Sequence, residues 1–446
     1  MSIFDQQRLT NTILQLELEG LRRGFYSDKY FTNIVRILEG LRGAGYGFAG
    51  NTPRQLPVDV RGFPVGDIEV EAQIFNRRAP HALIAGVDVA LAMIRHAAGH
   101  YEEDHFIEGW QRLEVVAVED GVITHYDGHP ENVSTVIEIR GRYSDFTLLE
   151  TPILGVLSRA SRIATNVYNV LQVCNGKPVL FFPARFDLPQ VQSIDGYAYR
   201  LAVQRYNAES GGNMAALVST DAQAAWWGGR GGGTVPHAII ACFFADTAEA
   251  MVAFAHYIPV EVPRIALVDF NNDAVGASLA TVNAFWPHYL EALISGSEVE
   301  QKRWTLNGVR LDTSANMLDV SLASEDERGV SAELVRVVRA AFDKAWEQWD
   351  VPEKWREAAQ SYCKQVQIVV TGGFNRDRIE RFEREGVPVD VYGVGSTFLT
   401  NDKATNTDFT MDVVRIKVDG QWVDVPKVGR LPGDNPDLQR VDLSRL

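Results

Sequence analysis

Cysteine is scarce. Cys174, Cys242 and Cys363 are the only three in 446 residues, far apart and with no CxxC pair. That excludes a disulfide framework and a thiolate zinc site, and it suits reduced, buried thiols in a cytoplasmic protein. Metal-ligand spacing is also missing, since no HExxH occurs. His96 and His100 lie one helical turn apart, but Gly99 weakens that helix, so the stretch reads as a solvated helix end and no dedicated metal site is assigned. No apolar run reaches the roughly eighteen residues of a membrane span. Met1–Leu21 is charged and lacks the apolar core of a secretory signal. Basic residues are outnumbered, 43 Lys and Arg against 58 Asp and Glu, a net charge of −15. This argues against a broad nucleic-acid surface, while a few arginines inside a pocket would still hold a phosphorylated substrate. Neither a P-loop nor GxGxxG is present. The Trp226–Gly233 stretch, rich in glycine, reads as either a mobile loop that positions His237 or a plain linker.

What the chain does have is a run of short β-branched segments that end in glycine. The clearest lies between Gln367 and Thr400. Ile368–Val370 stops at Thr371-Gly372-Gly373, an amphipathic segment with Ile379 and Phe382 follows, and Val387–Tyr392 stops at Gly393-Val394-Gly395-Ser396. This predicts strand, helix, strand, with buried parallel strands. The glycine ends are either ordinary turns or, taken together, a rim of bare N–H groups where a phosphate sits.

Residues 1–45 carry helical periodicity. Residues 51–150 read as α+β, with an alternating strand over Asp67–Phe75, a helix over Ala85–His96, and strands at Leu113–Val118 and Val136–Arg140. A long helix is predicted from Leu149 to Val173. Beyond residue 178, candidate strands recur at Val179–Pro183, Ala215–Ser219, Thr234–Phe244, Ile265–Phe270, Gly308–Leu311, Gln367–Val370 and Val389–Tyr392, several with helical stretches between them. The fold class is therefore α/β: an irregular or incomplete α/β barrel over 151–400, preceded by an N-terminal α+β domain over 1–150. The tail over 401–446 alternates, turns at Asp419-Gly420, and is expected to return to that first domain.

In such a barrel the active site lies at the carboxyl ends of the strands. The polar residues placed there are Arg185 and Asp187, Ser219, Thr220 and Asp221, His237, Asp269 and Asn271, Arg310 and Asp312, then Gly372, Gly373, Gly395 and Ser396. An isolated Asp or Arg at a strand end is usually a cap or an ion pair. Two arginines, several carboxylates, a histidine and two glycine rims at one mouth suit a sugar carrying phosphates.

These residues carry a resemblance to the type II phosphoribosyltransferases, the family of nicotinate phosphoribosyltransferase and the quinolinate enzyme. Phe25–Phe31 looks like the family's N-terminal Asp-x-Tyr segment, and Glu150–Ser158 is similar to the helix entering the barrel. Gly233-Thr234-Val235-Pro236-His237 resembles the Gly-Thr-x-x-His motif. Leu267–Asp269, Gly308–Asp312 and Tyr392–Ser396 follow in the family's order.

The resemblance implies an enzyme that joins nicotinate to 5-phosphoribosyl 1-pyrophosphate (PRPP) in NAD biosynthesis, releasing pyrophosphate. ATP would be a co-substrate, hydrolysed through a phosphorylated His237, with Mg²⁺ arriving on PRPP and ATP. His237, Asp269, Arg310 and Asp312 would be catalytic. Tyr30, Arg185, Asp187, Ser219, Thr220 and Arg310 would bind substrate, with Arg310 on the nicotinate carboxylate. Gly372, Gly373, Gly395 and Ser396 would hold the 5′-phosphate. Homodimers, each site completed by its neighbour, would be the working form. The chain departs from the family pattern at Pro183–Asp187, Val218–Ala222 and Arg310–Asn316, so it falls in a divergent branch. Competing readings are transfer to quinolinate or nicotinamide, and a silent homologue that binds nucleotide.

Overall fold

The computed structural model describes residue 5 and residues 7–323, 327–433 and 435–446. Residues 1–4 and 6 of the N-terminal helical stretch lie outside the described residues. The rest forms helices at Asn11–Leu14, Leu18–Arg22 and Lys29–Gly43. The chain divides into two compact units, 1–168 with 193–210 and 400–446, and 169–192 with 211–399. Most of the helix Glu150–Leu171 goes with the first unit, where the sequence reading assigned it to the second. Hydrogen bonds tie it there. Ala85 N–H donates to Ser161 Oγ at 3.0 Å and Leu83 N–H to Thr165 Oγ1 at 2.9 Å. Arg159 reaches Asp195 through Nε at 2.7 Å and a second nitrogen at 2.8 Å, and so holds residues 193–210 in the same unit.

The first unit is built on a six-stranded antiparallel sheet. Its spatial order is Gln421–Asp424, Phe409–Val418, Glu69–Asn76, Thr135–Arg142, Glu114–Ala117, Gln439–Arg440. The tail thus returns as expected, pairing with Glu69–Asn76 on one side and Glu114–Ala117 on the other. Glu69–Asn76 alternates in sequence but is buried from its second residue onward. Its polar positions are satisfied within the protein instead of by water. Glu71 accepts from Arg140 at 2.8 Å and Arg415 at 2.7 Å, and Gln73 bonds the backbone of Leu431 and Gly433.

A buried acid pair caps the helix Val87–Ala97 in this unit. Asp120 accepts from Val87 N–H at 2.8 Å, Asp88 N–H at 3.4 Å and Tyr197 OH at 3.1 Å. Asp88 in turn accepts from Arg8 at 3.0 Å and from Leu9 N–H at 2.8 Å. Burial, and secondarily the charge of Asp88, push the Asp120 carboxyl up to about 7. The folded protein therefore holds a proton that the unfolded chain has already released above its ordinary value of 3.8. By linkage this stabilisation is present at low pH and is lost as pH rises through that interval. The urea midpoint of the native protein is expected to drop more between pH 5 and pH 8 than that of Asp120→Asn. Identical pH dependences would refute the assignment.

The second unit contains a parallel sheet of five strands: β1 (Val179–Phe181), β2 (Ile265–Leu267), β3 (Gly308–Leu311), β4 (Gln367–Val370) and β5 (Val391–Val394). Their order is β1-β5-β4-β3-β2. Leu311 pairs with Val370, Val370 with Tyr392, and Tyr392 with Val179. Parallel strands in this register end at one rim, and all five are followed there by the residues singled out above. Among the described residues the sheet does not close, so the irregular α/β barrel is what forms. Two expected strands are absent. Of Ala215–Ser219 only Val218 makes a bridge, to Phe181. Thr234–Phe244 contains a six-residue helix, α1 (His237–Cys242), which starts after Pro236. A short apolar run cannot be told from a helix by periodicity, and Ala238 and Ala241 favour the helix. Two further helices matter below, α2 (Ala332–Ala345) and α3 (Arg376–Arg384). Among the described residues no helix is long and apolar enough to cross a membrane.

Candidate active site

A cavity of about 580 Å³ opens at the carboxyl rim of the parallel sheet. Nine of the residues expected at the site line it: Arg185, Ser219, His237, Arg310, Asp312, Gly372, Gly373, Gly395 and Ser396. These come from four strand ends, a loop and α1. The volume suits a small-molecule ligand.

The glycine side is shaped by close approach. Gly372 and Gly373 adopt φ of +85° and +76°, a left-handed backbone that L side chains resist. A Cβ at Gly395 would lie 2.8 Å from the Phe186 ring. The rim therefore exposes backbone without side-chain cover, which is what an anionic group needs to reach N–H donors.

Arg310 stands on the strand β3, its side chain only 17% exposed. One terminal nitrogen is 3.4 Å from Val235 O and 4.0 Å from Asp312 Oδ2, both long. Its buried Nε has no partner among the described residues. Burial lowers its pKa, against the nearby carboxylates of Asp312 and Asp269 that support the charge. A guanidinium that lines a cavity and makes only long contacts, with a donor left unfilled, suits a planar anion such as a carboxylate. Asp312 is held in turn by Thr371, whose hydroxyl donates to Oδ1 at 2.5 Å.

His237 places Nε2 3.1 Å from both carboxylate oxygens of Asp269. In the neutral tautomer a carboxylate at that nitrogen favours the proton there, with the lone pair on Nδ1. Burial raises the Asp269 pKa, and the His237 contact opposes the rise. Asp269 does not line the cavity; it reaches the site through His237.

Five further expected residues stand elsewhere. Asp221 accepts from Gly231 N–H at 2.9 Å, and Asn271 donates to Ala245 O at 2.8 Å. Thr220 caps a short helix, accepting from Gln223 N–H at 3.2 Å, and its hydroxyl donates to Gln192 at 2.8 Å. Asp187 turns to its own neighbour, accepting from Leu188 N–H at 2.8 Å. Tyr30 belongs to the first unit, 58% exposed, with its hydroxyl 3.0 Å from Asp28. Sequence reasoning missed the apolar and hydroxyl walls, Phe182, Phe186, Phe374, Thr234 and Thr397. Phe186 had a usable signal, since it sits between two candidate residues. Thr234 had one too, as part of the Gly-Thr-x-x-His motif, and Phe182, Phe374 and Thr397 carry none that distinguishes them from core.

An open parallel α/β barrel thus gathers an arginine, a histidine–aspartate pair and a glycine rim at one mouth, an arrangement suited to an anionic small molecule. Residues 59–161 match the family described as quinolinate phosphoribosyl transferase, N-terminal domain. The whole chain resembles the nicotinate-nucleotide pyrophosphorylase of Pyrococcus furiosus, at 24% identity and a TM-score of 0.61, over 96% of this chain and 85% of that one. It also resembles human nicotinic acid phosphoribosyltransferase, at 17% identity and a TM-score of 0.56, over 92% of this chain and 77% of that one. The chain shares its fold with these two enzymes, and residues 59–161, which lie within the first unit, match the N-terminal domain of the quinolinate family.

Proposed function

We propose that this protein is a phosphoribosyltransferase of NAD biosynthesis that joins nicotinate to PRPP, forming nicotinate mononucleotide and pyrophosphate. The observation that carries the reading is Arg310, a buried guanidinium with an unfilled donor in the same cavity as the glycine rim. The pyridine carboxylate pairs with Arg310, and the 5′-phosphate lies against Gly372, Gly373, Gly395 and Ser396. The ribose between them bridges the cavity. As the C1′–O bond breaks, the leaving pyrophosphate gathers negative charge, and Arg185 on the cavity wall stabilises it. Asp312 offers an oxygen donor of the kind Mg²⁺ takes, and the ion, arriving on the diphosphate, supplies charge neutralisation there.

In this reading ATP is a co-substrate, and the neutral Nδ1 of His237 is its phosphoryl acceptor, oriented by Asp269. His237→Ala is expected to abolish stimulation by ATP and to leave slow ATP-independent transfer, measured as mononucleotide formed with and without ATP. Equal stimulation in the variant would refute the role. The working form is a homodimer. The exposed rings of Phe25, Tyr26 and Tyr30 support a neighbouring copy over that segment.

A second reading is favoured by a specific observation. Arg185 lines the same cavity, and its charge acts on Arg310, so a base with two carboxylates such as quinolinate also finds two cations. Purified protein with PRPP, Mg²⁺ and either nicotinate, quinolinate or nicotinamide, with and without ATP, separates the two. Product from nicotinate, raised by ATP, supports the first reading. Product and CO₂ from quinolinate without ATP overturns it in favour of the second.

A further inference from the structure

A second cavity of about 410 Å³ adjoins the strand ends that carry the candidate active site. Asp312 and Gly373 line the first cavity, Thr313 lines the second, and Gly372 lines both. Three features of this second cavity favour an anion.

The first is the start of α2, a helix of 14 residues. Ser331 caps it by accepting from Leu334 N–H at 3.1 Å, and Ser331 and Ala332 line the cavity. The N–H groups of the first turn have no partner within a helix, and the helix dipole adds partial positive charge there.

The second is Thr313. It is only 4% exposed, and its hydroxyl has no hydrogen-bond partner among the described residues. A buried hydroxyl without a partner costs free energy that a ligand oxygen would recover. Thr313 also belongs to the Arg310–Asn316 segment, one of the places where the sequence departs from the pattern it resembles.

The third is charge. Arg328, Arg378 and Arg381 line the cavity against Glu327 and Glu385. Arg378 is fixed in place, donating to Gly372 O at 2.9 Å and Val330 O at 2.6 Å, with its guanidinium 4.1 Å from the Phe374 ring. Burial and the charge of Arg381 both hold Arg378 below its ordinary pKa. Among the described residues, Arg381 meets a carboxylate only at 3.9 Å, that of Glu385. Two arginines three residues apart on α3, repelling each other beside the cavity they line, are relieved by an anion bound there.

We propose that this cavity is a phosphate-binding site, separate from the candidate active site, that takes inorganic phosphate or the phosphate of a small metabolite. Arg381 and the Thr313 hydroxyl hold the anion, with the N–H groups at the start of α2. Because Arg378 links this cavity to the Gly372 carbonyl, an anion here steadies the glycine turn that forms the rim of the active site. The inference does not depend on which base the active site uses.

The test is calorimetric titration of the full chain with inorganic phosphate, at constant ionic strength set by chloride. The native protein is compared with Arg381→Gln, Thr313→Val and Arg310→Gln. A saturable phosphate site is expected whose affinity falls about tenfold or more in Arg381→Gln and in Thr313→Val and persists in Arg310→Gln. Replacing inorganic phosphate by ribose 5-phosphate then distinguishes a free anion from a phosphorylated metabolite as the tighter ligand. No saturable binding, or binding unaffected by both Arg381→Gln and Thr313→Val, overturns the proposal. Transfer activity is assayed separately, so a failed active-site reading leaves this result interpretable.

Discussion

Arg310→Gln is expected to lower kcat/KM for nicotinate by about a hundred- to a thousand-fold, while any residual use of nicotinamide changes far less. The asymmetry follows from what the side chain does in its cavity. Its guanidinium is mostly buried, its contacts to Val235 and Asp312 are long, and Nε is unfilled. A carboxylate entering the cavity would complete that donor set with charge-assisted bonds. Truncating one partner of such a desolvated pair costs about 2–5 kcal/mol. Glutamine keeps the polarity and much of the volume but supplies no charge and no fork of donors. A neutral amide never made the ion pair and loses little. Steady-state kinetics with both bases decide the matter. An equal fall for nicotinate and nicotinamide would mean that Arg310 acts on PRPP or on the fold, not on the base.

The second large effect is on stability. Arg264 is fully buried just before β2, and no carboxylate bonds it among the hydrogen bonds described. Its guanidinium donates to four carbonyls: Ile258 at 2.9 Å, Pro259 at 2.9 Å, Val262 at 2.5 Å and Arg303 at 3.1 Å. One side chain thus closes the loop over 258–263 onto the end of the helix Glu298–Arg303. In Arg264→Met the volume is largely kept and the four acceptors lose their donor. At about 1–3 kcal/mol for each buried group left unpaired, a loss of at least about 3 kcal/mol is expected even after local relaxation. Urea unfolding followed by tryptophan fluorescence measures it as a lower midpoint. An unchanged midpoint would show that water replaces the guanidinium at no cost. β2 carries Asp269 at its end, so activity is expected to fall with stability in this variant, unlike Arg310→Gln, which should unfold as the native protein does.

Arg264 also shows where sequence reading stops. In Pro263-Arg264-Ile265 it looks like a charge at the mouth of a strand, and nothing local says that four carbonyls will surround it. His237 fails in the other direction. Its position in a motif was legible, but its element was not, because a short apolar run such as Ala238–Phe244 cannot be told as strand or helix by periodicity. Thr220 and Asp187 stood at the expected strand ends and were taken up by caps and turns, the usual fate of such residues. The glycine ends of β4 and β5 were the most legible feature of the site, since backbone with φ above zero and close approach both demand glycine wherever they occur.

The sequence by itself determined the alternation of short strands and helices, the parallel sheet, the return of the tail and the glycine rim. These rest on periodicity and backbone freedom, which act over a few residues. Only the tertiary structure decided which polar side chains share a cavity, that Asp269 acts from behind His237, and that Arg310 keeps a donor unfilled. Those depend on contacts between segments distant in sequence, 32 residues for His237 with Asp269 and 75 for Arg310 with Val235, and burial there sets the strength of every charge.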